Sequence, residues 1–387
     1  MLFHHDSPKF DPDGTRRIKQ TAASILLAVC VVALAGHAAA ANPLTFEDGE
    51  FKLTPTARLD LNHAWADSDT ESLGNHYLTR RAALGLEGQF TNDWEFEIGY
   101  DFTGEGEYKD VYLAYEGWDV GTITVGQFKV PYGLEELTSS KNIMMIERAL
   151  PTDAFNLSRR LGIGFNHSGA RHTFAAMGFK RTIDEDDGKG VGARYTFAAI
   201  DTDANLLHLG ASLVTEKQPE DRIKFNARPE AKPIDVKLVN TGKIRDVKRI
   251  NRLGLELAWQ TGPFTVQTEW MRAAVDRHSR PDVAFDGWYV AGSWMLNGGQ
   301  RRYKYGRFKS PSLTHPFATL ELTTRYSRLN LNDGPEQGGK QDNISVGINW
   351  YISEYGRVML NYISVDSDRR GVSDDPNIIL LQTQFFL

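Results

Sequence analysis

Trp94-Glu-Phe-Glu-Ile-Gly-Tyr-Asp-Phe102 is the stretch on which the reading of the fold turns. Trp94, Phe96, Ile98, Tyr100 and Phe102 take every second position, with Glu95, Glu97, Gly99 and Asp101 between them. Side chains alternate faces along a strand, so this order makes a ribbon with one apolar and one polar face. Just upstream, Thr91-Asn-Asp93 supplies a tight turn. Before it, Ala82, Leu84, Leu86 and Phe90 alternate with Ala83, Gly85, Glu87 and Gln89, which completes a hairpin. Further out, Phe51 to Trp65 repeats the pattern over a length able to cross a membrane when tilted.

A soluble sandwich hides its apolar face in a shared core and a membrane barrel turns it outward, so alternation alone does not separate them. The connections do. After the first four strands, about 51–65, 82–90, 94–102 and 109–117, further ones read at about 121–128, 161–167, 171–181, 190–200, 205–216, 249–260, 264–275, 285–296, 317–329, 341–352, 356–366 and 377–387. Turns near 91–93, 117–120, 167–170, 201–203, 261–263 and 353–355 are short. The segments 66–76, 129–160, 182–189, 217–248, 276–284, 330–340 and 367–376 are longer. Short and long connections in alternation predict an all-β, transmembrane, up-and-down antiparallel β-barrel of about 16 strands, with both termini at the short-turn rim. Trp65, Trp94, Trp118, Trp259, Trp270 and Tyr351 lie near strand ends, where aromatic girdles belong. One connection, 297–316, is long where a short turn is due; a hairpin hidden there would raise the count to eighteen.

The N-terminus agrees with an exported chain. Arg16-Arg17-Ile-Lys19 precedes an apolar run from Ala22 to Ala35, then His37-Ala-Ala-Ala-Ala41 offers small residues. This pattern predicts a signal peptide over 1–41 and a barrel domain over 42–387. Cys30, the only cysteine, lies inside that leader, which excludes a disulfide framework or a cysteine metal site from the mature chain. The formal net charge of −6 becomes −7 without the leader, so the global basicity of a nucleic-acid binder is absent.

The strand Gly121-Thr-Ile-Thr-Val-Gly-Gln-Phe128 breaks at Lys129-Val-Pro-Tyr-Gly133. Pro131 removes a ladder donor and Gly133 permits a sharp bend. Some 25 residues without alternation follow, mixing apolar anchors (Met144, Met145, Phe155) with charges (Glu135, Glu147, Arg148, Arg159, Arg160). A connection that long inside a compact domain points to function.

These motifs resemble the phosphate-selective porin O and P family of Gram-negative outer membranes. The likeness is carried by Gly126-Gln-Phe-Lys-Val-Pro-Tyr-Gly133 with Leu134-Glu135, by Thr138-Ser-Ser140 and Glu147-Arg148, and downstream by Asp286-Gly-Trp-Tyr-Val290, Ser293-Trp294, Glu321-Leu322, Arg325-Tyr-Ser327 and Asn349-Trp-Tyr351. The resemblance implies a sixteen-stranded barrel, usually a homotrimer, whose third external loop folds into the lumen. It implies passive diffusion of small hydrophilic solutes, anions such as phosphate or pyrophosphate being the family expectation, with no cofactor.

A channel needs a constriction and a lumen field rather than a catalytic group. Lys129, at the basic position of the family motif, is expected at the eyelet. Arg58, Arg194 and Arg325 fall on polar strand faces, and the adjacent Arg80 and Arg81 are expected to point to opposite sides. Guanidinium groups there would offer forked donors to phosphate-like oxygens; the alternative is that each is a rim residue paired with a nearby Glu. The constricting loop is expected to use Pro131, Gly133, Glu135, Glu147, Arg148, Arg159 and Arg160. Glu87, Glu95, Glu97, Asp101, Glu116, Glu256, Glu269 and Glu321 share the inner face, so a general diffusion pore of mixed selectivity stays open, as does a barrel whose loops bind a partner. The segment 217–248, rich in Lys and Arg, reads either as an anion-steering mouth or as a charged surface loop. The ten His are scattered without zinc spacing, no phosphate-binding Gly-rich loop opens a helix, and no catalytic residue or metal ligand is assigned.

Overall fold

The computed structural model describes residues 44–67, 73–184, 188–313 and 319–387; the leader predicted over 1–41 lies outside them. Sixteen strands make the wall: β1 (Phe51–Asp67), β2 (Asn75–Phe90), β3 (Trp94–Asp101), β4 (Glu107–Tyr115), β5 (Thr122–Lys129), β6 (Arg159–Ser168), β7 (His172–Phe179), β8 (Lys189–Asp201), β9 (Asn205–Lys217), β10 (Val247–Thr261), β11 (Phe264–Arg277), β12 (Val283–Met295), β13 (Thr319–Asp333), β14 (Glu336–Ser353), β15 (Gly356–Arg369) and β16 (Asn377–Phe386). Each pairs antiparallel with its neighbours in sequence, and β1 pairs with β16 from Arg58↔Phe386 to Asp67↔Asn377, which closes the sheet without an edge. All strands predicted from alternation are present, β2 beginning several residues earlier than its pattern suggested.

The wall turns its apolar face outward. On β10, Leu255 and Trp259 are 47% and 44% exposed while Glu256, between them, is 4% exposed. Ile98 and Val346, which a soluble sandwich would bury, are 48% and 50% exposed. The inward face is polar except where something covers it. Ile378-Ile-Leu-Leu381 on β16 is apolar on both faces: Ile379 is exposed, whereas Ile378 and Leu380 are buried in a cluster with Ile146, Ala231 and Ile234. Each large side chain buried this way contributes about 1.5–3 kcal/mol.

The covering residues come from three segments outside the wall strands. The first, 130–158, contains two short helices, α1 (Leu134–Leu137) and α2 (Leu150–Phe155). The second is 218–246, whose Phe225, Ala227, Val239 and Ile244 are buried in one cluster with Leu150, Phe155, Phe285 and Leu329. The reading of this stretch as a plain charged loop is corrected accordingly: its apolar residues seat it on the wall, and Lys217, Arg222, Lys224, Lys243, Arg245 and Lys248 stay exposed.

The third segment resolves the irregular connection 297–316. Gln300–Lys304 and Arg307–Ser312 pair only with each other, as a separate two-stranded sheet. The hairpin is therefore real, but it adds no wall strand and the count stays at sixteen. Its turn, Tyr305-Gly306, has φ of 54° and 69°, the left-handed pair that a two-residue hairpin loop demands. The connection 330–340, expected to be a loop, is instead a tight turn at the end of two long strands, Asp333 pairing with Glu336.

Candidate functional site

One wall of the site is basic, and two β-bulges make it so. Strict alternation places Arg80 and Arg81 on opposite faces. However, the register runs Asp60↔Arg81 and then Leu61↔Thr79, leaving Arg80 as an extra residue. Both arginines consequently point inward: Arg81 Nη1 donates to Asp60 Oδ2 at 2.9 Å, and Arg80 Nε to Glu147 Oε1 at 2.7 Å. A second bulge sets Lys109 and Asp110 opposite the single Gly99. Lys109 reaches Asp101 at 3.5 Å, and Asp110 accepts Arg159 Nε at 2.9 Å. Arg58 bonds Asp60 Oδ1 (3.0 Å) and Ser140 Oγ (2.9 Å).

The facing side is the segment 130–158. Gly133, with φ of 78°, makes its entry bend; a Cβ there would stand 2.8 Å from Met271 Cε and 3.1 Å from Glu269 Oε2. The carboxylate of Glu269, on β11, accepts the N–H groups of Leu134 and Glu135 at 2.7 Å each and so caps α1. Beyond α1 the backbone is held by side chains of the wall and the inner hairpin. Arg357 donates to the carbonyls of Ser140 and Ile143, Arg301 to that of Asn142, Asn349 to that of Met144 and Arg325 to that of Glu147, while Asn361 accepts from Ile146 N–H. This anchorage leaves Glu147 facing Arg80 and lets Arg148 Nε meet Glu136 Oε2 at 2.9 Å. Lys129 Nζ donates to the carbonyl of Glu136 and lies 3.6 Å from its Oε1.

Between the two sides is a polar cavity of about 340 Å³. Nine cationic side chains line it (Arg58, Arg80, Arg81, Lys109, Lys129, Arg148, Arg159, Arg228 and Lys232) against six carboxylates (Asp101, Glu107, Glu136, Glu147, Asp153 and Glu230). The lining carries more cations than carboxylates, but Asp60 and Asp110 just behind it pair with Arg58, Arg81 and Arg159, so most of the cations already have a carboxylate neighbour.

Burial works against the charged form of Glu136, but Arg148 and Lys129 hold its pKa below the ordinary glutamate value; Arg80 does the same for the buried Glu147. Folded-state values below the free one stabilise the docked segment fully above about pH 4.3, the free glutamate value, and this contribution is lost as pH falls through the lowered values. Acidification below about pH 4 is therefore expected to loosen the segment and lower its amide hydrogen-exchange protection relative to the wall strands, with recovery at neutral pH. Glu147→Gln should blunt the response; protection unchanged down to about pH 3 would contradict the assignment.

Of the residues expected from sequence, Lys129, Arg58, Arg80 and Arg81 meet at this cavity together with Glu147, Arg148 and Arg159. Pro131, Gly133 and Glu135 are buried behind it, and Arg160 donates to the carbonyls of Leu157 and Arg159. Arg194 and Arg325 do not line it, which corrects the pore-lining reading of both. Arg194, 5% exposed, is locked on Glu256 and the carbonyl of Gly306, beneath the inner hairpin. Arg325, 3% exposed, is spent on Glu135 and Glu230. Polar alternation gave their face correctly but says nothing about what covers it. Sequence reasoning missed Asp60, Lys109 and Glu230. Glu230 is a non-glycine residue with φ of 57°, and its carboxylate accepts Leu150 N–H (2.9 Å), Ser327 Oγ (2.6 Å) and Arg325 Nη2 (2.6 Å); one of several acidic residues in a loop rich in Lys and Arg carried no signal for this.

A family model described as phosphate-selective porin O and P matches residues 51–387. Porin O of Pseudomonas aeruginosa is 24% identical over 373 residues, covering 83% of this chain and 84% of that protein. Among solved structures, in-vitro folded OmpT, an outer membrane protein of Vibrio cholerae, superposes with a TM-score of 0.61 at 11% identity over 89% of this chain and all of the other. An anion-selective porin from Comamonas acidovorans gives 0.56 at 13% identity over 87% of this chain and all of the other.

Proposed function

Because the chain belongs to the phosphate-selective porin O and P family, we propose that it forms a passive outer-membrane channel for small hydrophilic anions, phosphate-like oxyanions foremost, constricted by the segment 130–158. The observation that carries this reading is the gathering of nine cations around the cavity between that segment and β1–β6, against six lining carboxylates with Asp60 and Asp110 behind them. Forked guanidinium donors on Arg58, Arg80, Arg81 and Arg159 match the oxygens of a phosphate. Their carboxylate partners keep the binding weak enough for release, which conduction requires. The exposed cations of 218–246 at the long-loop rim steer anions toward the mouth. A diffusion pathway asks no bond-making of any residue, so no enzymatic role is assigned. Residues 1–41 act as the export signal, and the functional unit is a homotrimer in the outer-membrane lipid, as is usual for such barrels.

A second reading, mixed selectivity, is favoured by a different part of the interior. Glu87 and Glu97 are cross-strand neighbours on the inward face, and Glu95 pairs in register with Gln89. Arg307 of the inner hairpin lies within electrostatic range of Glu97 and Asp110. Walls of opposite sign there would pass both ions. Reversal potentials of the purified, folded protein in a KCl gradient across a planar bilayer separate the two. An anion-selective sign supports the first reading and a value near zero the second. Absence of conductance steps would remove both and leave a barrel whose loops bind a partner.

A further inference from the structure

We propose that the inner hairpin, 300–312, is a strut that positions the constricting segment, and that Arg301 is its positioning residue. The inference deepens the channel reading and rests on 130–158 being the constriction. The hairpin strands pair only with each other, so they contribute nothing to wall closure. Arg301, Gly306, Phe308 and Pro311 are nevertheless buried, and Arg301 and Phe308 meet the segment. Phe308, 1% exposed, shares an apolar cluster with Leu134 of α1. Ser310 Oγ donates to Asn142 Oδ1 at 2.9 Å. Arg301, 2% exposed, sends Nη1 to the carbonyl of Asn142 at 2.5 Å, while its Nε and Nη2 meet Glu321 Oε1 at 3.0 and 2.5 Å.

A role limited to pairing with Glu321 would use only Nε and Nη2, both on Oε1; Oε2 is taken by Asn349 Nδ2 and Tyr351 Oη, each at 2.8 Å. The remaining arm of the guanidinium is aimed at backbone from the opposite rim. Asn142 lies between Ser139 and Ser140 on one side and Glu147 and Arg148 on the other, and those four line the cavity. A chain entering from the short-turn rim thus fixes the loop that enters from the long-loop rim. The planar fork of Arg301 bridges a carboxylate and a carbonyl at once, which a lysine ammonium on a flexible stem does not reproduce.

The test uses the full-length folded protein in planar bilayers with three variants: Arg301→Lys, Ser310→Ala and, as the reference for the constriction itself, Lys129→Glu. Arg301→Lys keeps the charge, and Ser310→Ala removes one hydrogen bond and leaves the ion pair, so neither threatens folding. The strut predicts single-channel conductance rising to roughly twice the parent's in Arg301→Lys, a smaller rise in Ser310→Ala, and closure at lower applied voltage in both. Parental conductance and closing voltage in both, with Lys129→Glu still shifting the reversal potential, would overturn the strut and leave the constriction standing. An unchanged reversal potential in Lys129→Glu would instead remove the constriction reading, and the strut with it. A lowered unfolding temperature without any electrical change would mean that Arg301 is structural only, which also defeats the proposal.

Discussion

Lys129→Glu channels are expected to lose anion preference, with the reversal potential in a KCl gradient moving to zero or past it toward cations. Lys129 ends β5 where the wall gives way to the segment 130–158, 3.6 Å from Glu136 Oε1. Like charges at that separation repel by roughly 4 kcal/mol at an effective dielectric near 20, so the new carboxylate and Glu136 cannot both stay ionised in place. Either one of them takes a proton or Glu136 turns wholly to Arg148, its other partner at 2.9 Å. In each case the cavity loses a cation, and its excess positive charge falls. The neutral substitution Lys129→Gln should move the reversal potential in the same direction, by as much as Glu if a proton is taken up and by less if Glu136 turns to Arg148, whereas Lys129→Arg should leave its sign unchanged. If Lys129→Arg and Lys129→Gln behaved alike, the residue would be shaping the path through packing and not through charge.

The wall was legible because its rule is local. Period-two alternation, such as Leu253, Leu255, Leu257 and Trp259 on β10, sets the face of every strand residue without knowledge of any partner. The site was only half legible, for two physical reasons. A bulge adds one residue and inverts the face of everything beyond it. Arg80 and Arg81 are both polar, so the sequence offers no apolar marker to betray the slip, and their joint inward placement emerges only from the register of β1 with β2. Coverage is the second reason. Arg194, Arg325 and Arg357 obey alternation and face inward, but whether an inward arginine meets water or backbone depends on segments more than a hundred residues away, such as Gly306 for Arg194 and Ile143 for Arg357. The inner hairpin showed itself only as a turn of the wrong length. Nothing in Gln300-Arg-Arg-Tyr-Lys304 distinguishes a hairpin inside the barrel from one in its wall.

Arg325→Ala is expected to release the segment 130–158 while leaving the barrel closed. The guanidinium bonds Glu230 Oε2 at 2.6 Å, Glu135 Oε1 at 3.3 Å and the carbonyl of Glu147 at 2.9 Å, which ties both inward loops to β13. Glu135 and Glu230 are 3% and 4% exposed, so removing their shared cation strands two buried carboxylates. Breaking a buried ion pair by deleting one partner typically costs about 3–5 kcal/mol. The wall does not bear that cost. β13 remains paired with β12 and β14 through ten and fourteen register positions, none of which involves the Arg325 side chain. The energy instead disfavours docking of 130–158 and 218–246, and the measurable consequences follow from that. Protease cleavage within 134–157 should appear in a barrel that still resists heat as the parent does, with larger and noisier conductance steps. Adding Glu135→Gln and Glu230→Gln to Arg325→Met should recover much of the protection, because a neutral buried set leaves no charge uncompensated. Should Arg325→Ala remain protease-resistant with parental steps, the other contacts of the segment, the carbonyl clamps of Arg301, Arg357 and Asn349 and the Glu269 cap among them, suffice to hold it. A barrel that failed to fold would place the Arg325 cluster in assembly of the wall and not in docking of the loops.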